Sequence, residues 1–441
     1  MPKTKVQHLK QWDRECVWHP FTQMKDWVRE EPLIIDSAEG VYLKDIDGNV
    51  YIDGVSSLWV NVHGHRQAHI DAALKKQIDK LGHSTLLGLA NTPSVELAKR
   101  LIEIAPQGLK KVFYSDNGST AVEIAIKMAY QYWQNTGRRK KTAIVHLSNS
   151  YHGDTLGSVS VGGIDLFHKV YRKLIFKTIA LKGQGWEAVA NLENLLKAES
   201  SSIAALVVEP LVQGAAGMLV WPPGALRKMR QLTRKHNVFL IADEVATGFG
   251  RTGKMFACQH EDVSPDFLCL AKGITGGYLP LAATLTTQQV YDGFLFDYKE
   301  YKTFFHGHTY TGNPLACAAA LANLEIFKKE RTLSRLVPKI KFLAEKLKMF
   351  YNCRLVAEVR QQGFMAGIEL KGRLEDRLGA QVCQAARKYG VILRPLGNVV
   401  VLMPPLSISL EELEYLLMAT YRAIEETAVP RPFLGPFLSE I

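Results

Sequence analysis

From about residue 110 the chain alternates short apolar runs with longer helical stretches, and this rhythm constrains its fold most strongly. The runs are VFYS (112–115), AIVHL (143–147), IAALVVE (203–209), VFLIA (238–242) and FLCLA (267–271). Each is short for a helix and too uniformly apolar for a strand with one wet face. Strands buried on both faces, with helices between them, predict a mostly parallel sheet and an α/β fold.

Outside that region the rhythm is lost. VYLKDIDGNVYID (41–53) alternates, turns at Asp47-Gly48 and alternates again, as a hairpin does. GFMAGIEL (363–370) and VVVLMP (399–404) read as short strands among helices, and Ser409-x-x-Glu412 is a capping box opening the last helix. These patterns divide the chain into a large domain over 65–325 and a smaller α+β domain over 326–441. An N-terminal segment, 1–64, is expected to pack with the small domain.

Composition narrows the function classes. With 47% apolar residues the chain can bury a substantial core. Its first residues carry charges and no apolar signal segment, and no run approaches the roughly 20 apolar residues of a membrane helix. A cytoplasmic protein without membrane contact is the expectation, and six scattered cysteines without a C-x-x-C fit reduced thiols there. The net charge of +11 is compatible with nucleic acid, but the longest basic run, Arg138-Arg139-Lys140-Lys141, has no interleaved aromatics and reads as a solvated loop. Binding of nucleic acid is therefore not expected.

Candidate chemistry lies where the apolar runs end. Lys272 follows FLCLA, at the strand end where open α/β sheets bind ligands. Desolvation there can strip its proton and let the amine attack an aldehyde. Asp243 ends the preceding strand and could face a pyridinium nitrogen, although a helix cap or a metal ligand is open to it as well. Ser115-Asp116-Asn117-Gly118-Ser119-Thr120 joins VFYS to a helix with apolar positions 121, 122, 125, 128, 129, 132 and 133. Backbone N–H groups and hydroxyls at that helix start suit a phosphate. A phosphate cradle, a ring-nitrogen carboxylate and a strand-end lysine on one sheet are together what pyridoxal phosphate requires. Tyr151 could stack on its ring, Thr309 could reach its phosphate, and Arg394 offers either a carboxylate fork or a structural ion pair.

Other motifs are set aside. Gly248-Phe249-Gly250-Arg251-Thr252-Gly253 matches a dinucleotide pattern but lacks the strand–helix setting and the following acid. His63-Gly64-His65 and His306-Gly307-His308 lack a third ligand nearby, so no metal site is expected.

With these residues placed, the chain resembles the class III, fold type I pyridoxal-phosphate aminotransferases over nearly its whole length. The resemblance is carried by Tyr151-His152-Gly153-Asp154-Thr155, Ile241 to Gly253, Lys272-Gly273-Ile274-Thr275-Gly276-Gly277, Thr309 to Pro314 and Arg394-Pro395. Trp18-His19-Pro20-Phe21-Thr22-Gln23-Met24 and Asp53-Gly54-Val55-Ser56-Ser57-Leu58-Trp59 are similar to the members that aminate 8-amino-7-oxononanoate in biotin synthesis. The resemblance implies Lys272 as the catalytic Schiff-base lysine, with Gly118, Ser119, Tyr151, Asp243, His308 and Thr309 holding the cofactor. It implies a substrate site of Phe21, Leu58, Trp59, Tyr151, Gly307 and Arg394, with Glu209 near the ring. A homodimer is implied too, Thr309 reaching the phosphate in the partner chain. The usual amino donor is S-adenosylmethionine. Members using it commonly carry tyrosine at Phe21, tryptophan at Leu58 and a tyrosine near Val401. A lysine-using branch resembles this chain in W-x-P-F-T-Q-M-K-D and F-F-H-G-H-x-Y-T-G-N, so lysine stays open as the donor. So does an ω-amine reaction of the ornithine or 4-aminobutyrate type.

Overall fold

The computed structural model describes residues 2–428. Its centre is a seven-stranded sheet: β1 Leu109–Ser115, β2 Ala143–Leu147, β3 Ile179–Leu181, β4 Ile203–Val208, β5 Phe239–Asp243, β6 Phe267–Leu270 and β7 Ala282–Thr287. The spatial order is β1-β7-β6-β5-β4-β2-β3. From β6 to β3 all neighbours are parallel, in registers such as Asp243 opposite Cys269. The apolar runs therefore form the strands predicted from them. All six residues of β4 are buried, which explains why its sequence shows no alternation.

Two features of this sheet depart from the sequence pattern. β7, with the sequence AATLTT, runs antiparallel to both β1 and β6 and fills the gap between them. Two of its threonines find carbonyl partners: Thr284 Oγ1 donates to Ala121 O of the overlying helix Gly118–Asn135 at 2.8 Å and Thr286 Oγ1 to Asp266 O at 3.0 Å. The helix after β1, Gly118–Asn135, also buries Ile124 and Ile126, so its contact surface is wider than the expected stripe. Trp133 anchors its far end, donating from Nε1 to Ala204 O at 3.0 Å.

Lys141 corrects the expectation of a wholly solvated basic run. It is buried, and its ammonium donates to the carbonyls of Ser200, Ile203 and Asn237 at 2.8, 2.9 and 2.8 Å. Nζ also lies 4.8 Å from the Trp133 ring centroid. Three carbonyls and an aromatic face replace water around the charge.

The remaining strands form smaller sheets. Ile35–Glu39, Tyr42–Asp45 and Val50–Asp53 are antiparallel neighbours, the last two making the predicted hairpin, and Val391–Ile392 joins them parallel to Val50–Asp53. Residues more than 300 positions apart thus share a sheet. Val356–Gln362, Met365–Leu370, Val399–Leu402 and Arg394–Leu396 make an antiparallel sheet. The run GFMAGIEL becomes a strand only from Met365, because Gly363 turns at φ 61 with Thr252 backbone 2.3 Å from where a Cβ would stand. The helix Leu410–Ala428 opens on the expected box: Ser409 N–H donates to Glu412 Oε2 at 2.7 Å, and Glu412 N–H to Ser409 Oγ at 3.1 Å. The helices Lys3–Cys16 and Met24–Trp27 bury none of their residues.

Candidate active site

The carboxyl ends of β1, β4, β5 and β6 lie on one edge of the sheet, so the residues just beyond them converge. They open onto a cavity of about 530 Å³ lined by Asn117, Gly118, Ser119, Glu209, Asp243 and Lys272. Leu279 and Leu281, entering β7, close another side. Phe21, Leu58, Trp59 and Tyr151 add an aromatic and apolar wall, and Arg394 reaches in from the C-terminal region.

Asp243 is buried at the end of β5. Its Oδ2 lies 2.7 Å from His152 Nδ1, and its Oδ1 accepts from Val245 N–H at 3.0 Å. A carboxylate can accept about four hydrogen bonds, so two bonds leave capacity for an N–H in the cavity. Neither observed partner makes it a helix cap or a metal ligand. Among the described residues, no group of three or more His, Cys, Asp or Glu could hold a metal ion.

The helix Gly118–Asn135 begins with a side-chain cap at Asn117. Asn117 Oδ1 accepts from Thr120 N–H at 3.1 Å, and Thr120 Oγ1 accepts from Asn117 N–H at 3.2 Å. The Thr120 hydroxyl is therefore spent on the cap and is not the phosphate donor that the sequence suggested. Ser119 Oγ accepts from Asp154 N–H at 3.0 Å. The N–H groups of Gly118 and Ser119 have no acceptor among the described residues and border the cavity. Close approach is built in at two glycines. A Cβ on Gly118 would stand 2.6 Å from Val245, and one on Gly153, at φ 112, would stand 1.8 Å from Ser119 Oγ. A dianion seated there meets unspent N–H groups and the positive helix end.

Lys272 leaves β6 at φ 48 and begins a short 3-10 turn, Lys272–Thr275. Burial lowers its amine from 10.5 to about 8; Asp243 and Glu209 oppose the shift, and Arg394 and Arg251 add to it. Near neutral pH a useful fraction of this amine is thus unprotonated and nucleophilic. Its Nζ sits 4.6 Å from the Trp59 ring centroid. Glu209 accepts from Tyr151 N–H at 3.0 Å and Gly214 N–H at 2.9 Å, and burial raises its carboxyl to about 7. Tyr151 donates its hydroxyl to Asp154 at 2.8 Å, and burial holds its phenol above the usual range.

On the substrate side, Arg394 is half-buried, and no carboxylate pairs with it among the described residues. Its guanidinium lies 5.9 Å from the Phe21 ring centroid. That removes the structural ion pair as an account of Arg394 and leaves an uncommitted fork facing the cavity. Leu58 and Trp59 are delivered by an unusual backbone. Ser56, Ser57, Leu58 and Trp59 have φ of 52, 47, 72 and 69, a left-handed turn without glycine. Such geometry costs roughly 1–2 kcal/mol per residue.

Four sequence-derived site positions lie outside this cavity. Gly307 and Thr309 are exposed on their loop, and His308, absent from the lining, has Nδ1 3.8 Å from Oδ2 of the lining residue Asp116. Val401 is fully buried opposite Arg394 in its sheet, so the lining does not include it. Of the histidines set aside, His63 packs against Phe327 and His65 binds Asp53 at 3.0 Å. The Gly248–Gly253 segment also finds its use. Arg251, fully buried, donates to Pro404 O at 2.7 Å and Asn61 O at 2.8 Å.

His152 and Phe167 belong to the site without any signal in the sequence that marks them. His152 stood beside the more conspicuous Tyr151, and its carboxylate partner is 91 residues away. Phe167 edges Tyr151 and Phe21 from a short helix, Asp165–His168, with no distinctive pattern.

A mostly parallel sheet with a lysine amine, a buried carboxylate and an anion cradle at one carboxyl edge is the arrangement of a cofactor-dependent transferase. The class-III aminotransferase model matches residues 23–424, and the chain belongs to that family. It is 52% identical to the adenosylmethionine-8-amino-7-oxononanoate aminotransferase of Geobacter sulfurreducens, over 96% of this chain and 99% of that one. The crystal structure of the enzyme of the same name from Methanocaldococcus jannaschii superposes with a TM-score of 0.94 at 46% identity, covering 96% and 99% of the two chains. A PLP-bound amine transaminase from an uncultivated Pseudomonas species superposes at 0.88 with 35% identity, covering 93% and 99%.

Proposed function

We propose that the protein transfers an amino group to 8-amino-7-oxononanoate, giving 7,8-diaminononanoate for biotin synthesis, with S-adenosylmethionine as donor and pyridoxal phosphate as cofactor. The observation that carries the reading is the desolvated Lys272 amine sharing one cavity with Asp243 and the Gly118-Ser119 cradle. The names of the relatives support the substrates. In this reading a homodimer in the cytoplasm is the working form, with the exposed Thr309 serving the neighbouring chain. No helix among the described residues is long and apolar enough to cross a membrane.

The residues present fit the cofactor. Gly118 and Ser119 N–H groups would bind its phosphate, Tyr151 would cover its ring, and Asp243, braced by His152, would hold the proton on its ring nitrogen. When bound, pyridoxal phosphate supplies the electron sink that makes an amine α-carbon acidic. With the cofactor in place, the Lys272 amine would accept the proton from the donor's α-carbon and give it back, one side chain serving as base and then as acid. Arg394 fixes the substrate carboxylate, while Phe21, Leu58 and Trp59 exclude water from the chain of the acceptor.

Mixing the yellow, cofactor-loaded enzyme separately with S-adenosylmethionine and with lysine tests the donor. Bleaching by S-adenosylmethionine alone is expected; bleaching by lysine alone transfers the assignment to lysine. Arg394→Leu should raise KM for 8-amino-7-oxononanoate by about 100-fold, equivalent to a lost charge-assisted hydrogen-bonded pair, with a smaller change in kcat. Steady-state kinetics checks this, and an unchanged KM would remove Arg394 from the substrate site.

A further inference from the structure

The left-handed turn at Ser56–Trp59 requires a physical support. Trp59 N–H donates to Val55 O at 2.8 Å and Val60 N–H to Ser56 O at 3.0 Å, closing one complete turn of the wrong hand for L-residues. Strained backbone of this kind persists only where its surroundings over-determine it. The surroundings here centre on one carboxylate. Asp53 is fully buried, accepting from Ser57 N–H at 2.8 Å through Oδ1 and from Ser57 Oγ at 2.7 Å through Oδ2. His65 Nε2 holds the same Oδ2 at 3.0 Å. The first residue of the turn and the chain beyond it are pinned independently, by Ser56 Oγ donating to Met403 O at 2.6 Å and by Arg251 on Asn61 O.

We propose that Asp53 is a positioning residue for substrate recognition: its carboxylate holds Ser56–Trp59 left-handed and so aims Leu58 and Trp59 into the cavity. The functional side of this rests on the reading that Leu58 and Trp59 border the acceptor site. Without the clamp, φ at these residues returns toward ordinary negative values, and both side chains leave the wall. Asp53 itself does not line the cavity, so its effect passes through the turn.

Asp53→Asn retains the shape but replaces one acceptor oxygen with a donor. It should raise KM for 8-amino-7-oxononanoate by about tenfold while kcat falls less than about threefold, the signature of lost binding rather than lost chemistry. Adding Ser57→Gly in that background should restore KM, because glycine enters the left-handed region without a steric penalty. A double variant no better than Asp53→Asn alone overturns the proposal. Trp59 emission gives a readout without substrate. Subtracting the fluorescence of the Trp59→Phe counterpart isolates it from the other tryptophans, and Asp53→Asn should change it. An unchanged Trp59 emission overturns the proposal even if the acceptor assignment is correct; a changed emission supports it even if the acceptor is a different ketone. If Asp53→Asn does not fold, Ser57→Ala and Ser57→Gly serve instead. Both lose the hydroxyl bond, and only alanine should raise KM; equal effects overturn the proposal.

Discussion

Lys272→Ala is expected to lower turnover by at least about 10⁴-fold, because alanine can neither join the cofactor covalently nor carry the α-proton. The fold should survive. Lys272 is half-buried with its amine desolvated, and alanine removes the cost of keeping a charge there. The melting temperature of the variant should therefore equal or exceed that of the parent. The pH dependence of cofactor attachment provides a second measure. The attacking form is the neutral amine, so attachment should quicken as pH rises through about 8 and level off above it. Borohydride reduction followed by mass spectrometry reads the lysine adduct directly. Turnover near that of the parent in Lys272→Ala would dismiss the lysine from catalysis.

Asp243→Asn is expected to cost on the order of 10²–10³-fold in turnover, the scale of losing one preorganised electrostatic partner. It should also lower stability by about 1–3 kcal/mol, since the buried 2.7 Å hydrogen bond with His152 loses its carboxylate partner. The sharper consequence is at Lys272. Asp243 is the largest influence holding the ammonium form there, so removing its charge must lower the amine further. The attachment profile should move to lower pH in Asp243→Asn and to higher pH in Arg394→Leu, where a repelling cation is lost. Movement in the same direction in both variants would mean that the cavity's charges do not set the behaviour of Lys272.

Much of this site is readable from the sequence because buried strands announce themselves by composition. A charged residue ending an uninterrupted apolar run, as Asp243 and Lys272 do, has few places to be except the edge of the sheet. Strand direction is not encoded in that way, and AATLTT gives no sign that β7 runs opposite to its neighbours. The burial of Lys141 is not legible, because a basic run looks alike whether water or three carbonyls surround its last member. The left-handed turn is hidden for a related reason. Ser-Ser-Leu-Trp contains no glycine to mark positive φ, and the conformation comes from a carboxylate four residues earlier and a histidine eight residues later than Ser57. His152 likewise gains its role only from a partner across the sheet. Local pattern reveals what burial dictates; it does not reveal what a distant polar group imposes.

Ser56 is bound to Met403 across 347 residues, and Arg251 ties Asn61 to Pro404 across 190 and 153. The walls of the cavity thus come from both ends of the chain, while its floor comes from the middle. Closing such long loops is slow, because their entropy is lost before any contact is gained. The central sheet can form from local strand–helix–strand units while the nascent chain is still incomplete. Recognition of the acceptor has to wait until the residues around Arg394 and Met403 have been made and docked, which places the completion of this site among the last events of folding.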